Sequence, residues 1–195
     1  MIARILSLVA VLGVVAGCTP DEPDARPTSK PPTSGAMTTT TTSSTPPPTG
    51  PPPLTRTLDP ARYATERTVC DLLTDAQAVE LGLPSPNYRD SFESFVACSR
   101  RHILADRRVD YDLWLDSDLL DDAFGRHEPE ELHVRDIAGQ PAVLTSADPS
   151  QACHLDLGLA KRKGIEILAD DHDGKACALA VTIAERMVEN LTGGG

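Results

Sequence analysis

Residues 153–159 are Cys153-His154-Leu155-Asp156-Leu157-Gly158-Leu159, in which apolar side chains alternate with polar or small ones. This period of two predicts a half-buried β-strand, because successive side chains of a strand point to opposite faces of its sheet. The basic run Lys161-Arg162-Lys163 follows, with Gly164 directly after it, so we expect a turn there. Residues 164–168 alternate in the same way and should return beside the first strand. The stretch therefore predicts an antiparallel β-hairpin.

Weaker patterns on the N-terminal side of the hairpin predict further elements. The capping box Thr74-Asp75-Ala76-Gln77 starts a first helix. Residues 92–104 and 109–115 are typical of strands, the second with an acidic outer row. Ser117 is the expected cap of a second, short helix. Short strands should follow at 132–137 and 142–144.

Residues 176–191 carry apolar side chains at helical spacing, and Asp173 is the expected cap of this last helix. The order of the elements predicts an α+β fold. We expect an antiparallel sheet of about five to six strands with two or three helices packed on it.

The first 17 residues have the parts of a signal peptide, with one early arginine, an apolar core and small residues before a cysteine. Val15-Ala16-Gly17-Cys18 resembles the lipobox of bacterial lipoproteins, whose cysteine receives a diacylglyceryl group and becomes the new N-terminus. We therefore expect a lipid anchor on Cys18, which would hold the protein on the outer face of the cell membrane. An ordinary secretory signal with an incidental cysteine, or an uncleaved anchor, would be the alternatives.

The segment from Cys18 to residue 57 is rich in proline and threonine, with proline triplets at 46–48 and 51–53 and a threonine run at 38–42. It holds too few large apolar side chains to offset the entropy lost on ordering, so we expect a disordered tether. This composition suits O-glycosylation, and a plain spacer explains it equally well. The domain organisation predicted is a signal peptide at 1–17, a lipidated linker at 18–57 and one folded domain at 58–195.

The chain carries a formal net charge of −11. Nucleic-acid binding rewards basic patches, so the charge argues against a nucleic-acid partner. It also argues against electrostatic docking on anionic lipid head groups. We expect the acidic surface to keep the protein soluble rather than to bind a cationic partner.

Four cysteines remain after Cys18, an even number in an exported domain, and two disulfides are the expected reading. Zinc competes, but no pair has the close spacing of a structural zinc site. Three pairings are possible, and we favour Cys70–Cys177 and Cys98–Cys153. The first would tie the two helical ends of the chain together, and the second would join two mid-strand residues in the core.

The sequence shows no motif of a nucleophilic elbow, dinucleotide fold or phosphate loop, and we expect neither an enzyme nor a cofactor. His127 and His133 superficially suggest a zinc protease, but the second histidine comes six residues later and Pro129 intervenes. Residues 170–174 offer oxygen ligands for a weak Ca²⁺ site, although a solvated turn explains them better. We therefore name no metal ligand.

Two further features leave a choice open. Four carboxylates lie close in sequence and would suit a glycosidase or a solvated helix start: Asp116, Asp118, Asp121 and Asp122. Trp114 stands on the polar face of its strand, where it would either anchor a ligand or lie under a helix.

Several short motifs, in this order and spacing, are shared with one known family: Cys70-Asp71-Leu72-Leu73-Thr74, a second cysteine in the following strand, Ile137-Ala138-Gly139-Gln140-Pro141-Ala142-Val143, Cys153, and Asp173 four residues before Cys177. The combination resembles a family of actinobacterial lipoproteins built on a domain of unknown function (domain of unknown function 3558). The resemblance covers about residues 69–191. That family usually has an aromatic residue two positions after the second cysteine, where this chain has Arg100. The resemblance implies a location and an architecture and no chemistry.

The sequence therefore predicts a cell-envelope lipoprotein whose folded domain is a non-catalytic binding or accessory module. Its partners would be the membrane, through Cys18, and an envelope protein or an apolar ligand. A carrier of a lipid or small apolar ligand, and a cell-wall hydrolase using residues 116–122, are the alternatives.

Overall fold

The computed structural model describes residues 49–88, 92–102, 106–145 and 152–193. The predicted signal peptide, Cys18 and most of the predicted linker lie outside the described residues. None of the helices in the described ranges is both long and apolar enough to cross a membrane.

The described chain forms an antiparallel sheet with three α-helices, which confirms the predicted fold class. The helices are α1 (Asp75–Glu80), α2 (Leu119–Arg126) and α3 (Ala176–Leu191). The strands are β1 (Ser85–Tyr88), β2 (Phe95–His102), β3 (Arg107–Trp114), β4 (His133–Ile137), β5 (Gln140–Thr145), β6 (Ala152–Ala160) and β7 (Lys163–Asp171). Their order across the sheet is β1-β2-β3-β7-β6-β5-β4. The strand beyond the expected number is β1, a short edge strand whose Ser85-Pro86 start gives no alternating signal.

The predicted hairpin is confirmed as β6 and β7. Leu155 pairs with Ile167, and Ala160 pairs with Lys163 at the end of the ladder. Arg162 has a φ of 59° in the turn, a left-handed conformation that a tight turn uses. The β7 strand then pairs with β3 on its other side, so the hairpin occupies the middle of the sheet.

One face of the sheet carries the main hydrophobic core, beneath α3. Tyr111, Leu155 and Ile167 from the three central strands are fully buried against Ile183 and Met187 of the helix. The stripe predicted on α3 thus faces the sheet. These side chains fill the space between sheet and helix, so that space is a packed core.

The opposite face is more polar and is partly covered by α2. Leu120 and Ala123 pack with Val143 and Leu132 in a small second apolar cluster. Asp110, predicted in an acidic outer row, is buried and lies 2.6 Å from Nη2 of Arg108. The outer row of β3 is therefore only partly solvated.

All four described cysteines form disulfides, as predicted, but the pairing we favoured is wrong. The bonds are Cys70–Cys98 and Cys153–Cys177, with Cα–Cα distances of 5.3 and 4.9 Å. Cys98 lies on β2 and Cys153 on β6, and β3 and β7 run between them. Three strand spacings of about 4.8 Å put those two cysteines far beyond the reach of a disulfide.

Residues 49–57, which we assigned to the linker, contact the folded domain. The hydroxyl of Thr55 donates to the carbonyl of Gly139, and Arg56 donates to the carbonyl of Ala138 at 3.2 Å. The Leu58 N–H donates to the carbonyl of Leu159 at 2.8 Å. The first two bonds fasten the chain to the β4–β5 turn before the predicted domain begins, and the third fastens the first residue of that domain to β6.

The helix starts agree with the sequence at α1 and differ at the other two. Thr74 and Gln77 form the predicted capping box. The N-cap of α2 is Asp118 and that of α3 is Lys175, in place of the expected Ser117 and Asp173.

Candidate functional site

Two carboxylates and a histidine lie together on the polar face of the β6–β7 hairpin. Asp156 pairs directly with Glu166 across the two strands. His154 lies two residues before Asp156 and therefore points to the same face. We call these three residues the hairpin cluster.

The ligand-type atoms of the cluster converge. Nε2 of His154 lies 2.9 Å from Oε1 of Glu166 and 3.5 Å from Oδ1 of Asp156. One such atom from each residue lies within 4.8 Å of the others. The three residues thus enclose a point that a single ion would occupy.

Trp114 of β3 fixes the orientation of Glu166. Its indole Nε1 donates to Oε2 of Glu166 at 2.8 Å, which leaves Oε1 facing His154. The indole itself is held against the ring of Phe95, with 4.7 Å between ring centroids. Trp114 therefore positions the acidic side chain of Glu166.

Burial and mutual contacts shift the pKa values of the three cluster residues, and not all in the same direction. Burial raises the pKa of Asp156 to about 6, although nearby His154 acts against this. The polar contact with Glu166 raises the pKa of His154, and the same contact lowers the pKa of Glu166. Arg126 of α2 adds positive charge near all three residues, which adds to the lowering at Glu166 and partly opposes the raised pKa values of Asp156 and His154.

Two atoms of the cluster are left without a hydrogen bond among the described residues. They are Nε2 of His154 and Oδ1 of Asp156, both buried. The His154 contact with Glu166 is short, yet it lacks the alignment of a hydrogen bond. Buried polar atoms without partners cost free energy, and each such atom in a native structure calls for an explanation.

A cleft of about 430 Å³ opens beside the cluster, with His154 in its wall. Thr145, His127 and Leu168 line it as well. Nδ1 of His127 lies 3.5 Å from a carboxylate oxygen of Glu131 at the cleft wall. Of the three cluster residues, His154 is the one that lines this cleft, so the cleft meets the cluster at the His154 ring.

Three of the four acidic residues predicted as a hydrolase site make structural contacts, and the fourth, Asp121, is exposed in the first turn of α2. Asp116 pairs with Nε of Arg162 at 2.6 Å, and that contact lowers the pKa of Asp116. Oδ1 of Asp118 accepts the backbone N–H of Arg162 at 2.8 Å, and Asp122 accepts from the Ser117 hydroxyl at 3.0 Å. These carboxylates tie the start of α2 to the hairpin tip.

The other sequence candidates also take structural roles. Asp171, in the acidic run considered for Ca²⁺, is buried and lies 3.0 Å from Nη2 of Arg107. Its Oδ1 accepts the N–H of Asp173, as expected of a turn. His133 is exposed on β4, separate from the His127 contact.

Sequence reasoning missed the hairpin cluster because it searched for ligands close together along the chain. The signal that would have found it is the hairpin itself. The turn places Ala160 opposite Lys163, and a register shift between Gly158 and Ala160 then brings position 156 opposite position 166. The alternation puts His154 on the same face as position 156.

Comparison with known proteins identifies one family that matches this chain. The family described as "Protein of unknown function (DUF3558)" matches residues 13–190. No curated protein matches the chain, and no solved structure matches it.

Proposed function

We propose that this chain, which belongs to the DUF3558 family of proteins of unknown function, is a lipid-anchored binding module displayed outside the cell membrane. The folded domain would hold a ligand or partner in the envelope and catalyse no reaction. The resemblance of its motifs to actinobacterial lipoproteins supports an actinobacterial envelope as the setting.

The observation that carries this proposal is the oxidised state of the domain. Cys70, Cys98, Cys153 and Cys177 all form disulfides within the domain. Disulfides of this kind persist in oxidising compartments and are rare in the cytosol. A chain that folds this way is expected outside the cytosol.

The N-terminal leader sequence supports the proposed lipid anchor. An apolar segment ends at Gly17 and is followed by a single cysteine and a long Pro/Thr-rich stretch. A diacylated cysteine with a further acyl chain gives stable anchoring where one chain would not. The Pro/Thr-rich stretch would place the domain at a distance from the membrane surface.

Two observations favour binding over the alternatives. Three carboxylates of this cluster, Asp116, Asp118 and Asp122, already serve as hydrogen-bond and ion-pair partners at the start of α2, which weighs against a hydrolase. The space between the sheet and α3 is filled by buried side chains, which weighs against a lipid pocket there. The open cleft beside the hairpin cluster suits a small polar ligand or a partner's side chain.

The anchor is tested by expressing the wild type, Cys18→Ala and the control Thr19→Ala in an actinobacterial host with an alkyne analogue of palmitate. The wild type and Thr19→Ala should carry the label and sediment with membranes. Cys18→Ala should lose both. Membrane retention of Cys18→Ala at the wild-type level would contradict the anchor.

The choice between module and hydrolase is tested on purified cell-wall material. The wild type should release no soluble sugar or peptide fragments above a blank. Release that disappears in Asp118→Asn and persists in Asp173→Asn would establish the hydrolase instead.

A further inference from the structure

The register of the central hairpin sets two acidic side chains directly opposite each other. Asp156 and Glu166 pair across β6 and β7 on one face. Like charges directly opposite in an antiparallel pair destabilise the sheet. Asp112 of β3 pairs with Glu166 on its other side and extends the acidic row. Arg126 of α2 supplies positive charge near this row, and a bound cation would balance it further.

Burial makes an unbalanced negative charge at Asp156 more costly. Its side chain is 2 % exposed, and its Oδ1 accepts no hydrogen bond from any described residue. That oxygen faces Nε2 of His154 at 3.5 Å, and Nε2 also lacks a hydrogen-bond partner in the described part of the chain. A shared ion between this acceptor and this ring nitrogen would satisfy both atoms.

The distances suit a small divalent ion. Two ligand atoms each ~2.1 Å from zinc at a tetrahedral angle lie roughly 3.4 Å apart. The separations from Nε2 of His154 are 2.9 Å to Oε1 of Glu166 and 3.5 Å to Oδ1 of Asp156, on either side of that value. All three ligand atoms lie within 4.8 Å of one another.

We propose that His154, Asp156 and Glu166 form a binding site for a divalent transition metal ion of the zinc class. Nε2 of His154, Oδ1 of Asp156 and Oε1 of Glu166 are its three protein ligands. Two carboxylates and a neutral imidazole balance the charge of the ion, which removes the repulsion across the hairpin.

The surroundings fit this role. Trp114 donates to the second oxygen of Glu166, as outer hydrogen bonds to metal ligands commonly do. The cleft lined by His154 would give water or an outside ligand a route toward the fourth position. Zinc sites with three protein ligands and an open position are of the kind that bind exchangeable ligands. Through this position the metal would hold a carboxylate or imidazole of an envelope partner.

The combination of one nitrogen ligand and two oxygen ligands determines which metal ions the site should prefer. Imidazole favours zinc and its neighbours in the transition series, whereas Mg²⁺ and Ca²⁺ prefer sites made of oxygen alone. We therefore expect Zn²⁺ and Co²⁺ to bind and Mg²⁺ and Ca²⁺ to leave the site empty at equal concentration.

Trp114 supplies the readout because it is the single tryptophan of the chain. Zn²⁺ is titrated into the mature, chelator-treated protein in detergent, and Trp114 emission and binding heat are recorded together. The wild type should bind one Zn²⁺ per chain with a change in emission. Asp156→Asn, Glu166→Gln and His154→Gln should each weaken binding at least tenfold. Co²⁺ should give visible absorption of a site with fewer than six ligands.

His172→Gln is the matched control. His172 is 60 % exposed, and its Nε2 lies 3.1 Å from a carboxylate oxygen of Asp106. This variant should bind Zn²⁺ as the wild type does. Trp114→Phe, followed by heat alone, should lose roughly tenfold to 100-fold in affinity, as expected when a supporting hydrogen bond of a ligand is removed.

Two outcomes would overturn the site. One is the absence of Zn²⁺ binding by the wild type, which would leave a His154 imidazolium ion pair only. The other is undiminished binding in all three ligand variants, which would place the ion elsewhere. Asp156→Asn removes a buried charge without changing shape, so it should fold even where His154→Gln does not. The site does not depend on the lipid anchor, and either proposal stands if the other fails.

Discussion

Nη2 of Arg100 donates a hydrogen bond to the carbonyl oxygen of Cys70 at 3.1 Å. Cys70 is bonded to Cys98, two residues before Arg100 on β2, so one short strand segment holds the Cys70 turn by a covalent bond and a charged hydrogen bond. The same nitrogen donates to the carbonyl of Leu73 at 2.8 Å. The Arg100 side chain is 1 % exposed.

Replacing Arg100 by methionine should destabilise the domain by about 2–3 kcal/mol, because buried carbonyls lose a charged donor. Urea unfolding followed by circular dichroism would measure the loss. Asp75→Asn is the matched control. Asp75 also contacts Arg100, at 3.0 Å, but is 83 % exposed, so that change should cost less than about 1 kcal/mol. Equal losses in the two variants would contradict a role for the carbonyl contacts.

The disulfides make a prediction for peptide mapping. Digestion without reduction should yield a peptide joining Cys70 to Cys98 and another joining Cys153 to Cys177, and no peptide joining Cys98 to Cys153. Replacing either pair by serine should lower the free energy of unfolding by roughly 2–4 kcal/mol, since each bond closes a loop of ordinary length. Cys177 is the least buried of the four, so mild reductant should open its bond first.

Tyr111 makes a prediction for alkaline pH. Its hydroxyl donates to the carbonyl of Cys70 at 3.0 Å, and burial raises its pKa to about 12. An unfolded tyrosine loses its proton near pH 10. Between these values the unfolded state binds fewer protons than the folded state, so stability falls as pH rises from about 10 to 12, by roughly 2–3 kcal/mol.

Absorbance of tyrosinate at alkaline pH would test this behaviour. The native wild type should show one group that titrates late, and Tyr111→Phe should lack it. The stability of Tyr111→Phe should also depend less on pH above 10. A wild-type titration with no late group would show that the Tyr111 hydroxyl reaches water.

The sequence predicted what depends on neighbours along the chain. The alternation of residues 153–159 and the turn before Gly164 were enough for the hairpin, and Thr74 with Gln77 were enough for the α1 start. The disulfide pairing was not accessible in this way. It depends on β7 lying between β3 and β6, and residues 115–162 intervene between β3 and β7 along the chain.

The same limit explains the missed interactions of Arg100 and His154. A buried arginine and a solvated one look alike in a polar run such as residues 99–102. Local pattern assigned His154 to the polar face correctly, but its partner Glu166 belongs to the other strand of the hairpin. Contacts that join two segments require the register of both, and a search for closely spaced motifs does not use it.

Two glycines of the hairpin explain how closely α2 approaches the sheet. Gly158 and Gly164 pair with each other across β6 and β7. A Cβ on Gly164 would come within 2.8 Å of Cδ1 of Leu119, and one on Gly158 within 2.9 Å of Cδ1 of Leu120. Leu119 and Leu120 of α2 thus pack on the two glycines, and this contact positions the helix on the sheet.

Gly164→Ala should be the more damaging of the two changes. Its Cβ would also lie 2.7 Å from the backbone carbonyl oxygen of Leu157, which has no freedom to rotate away. The added methyl should therefore displace β7 or lift α2, at a cost of about 1–3 kcal/mol. At Gly158 the near atoms all belong to side chains, which adjust by changing rotamer, so Gly158→Ala should cost less. Urea midpoints at unchanged slope would measure both losses. A larger loss at Gly158 would mean that the leucine contacts, rather than the carbonyl, limit the approach of the helix.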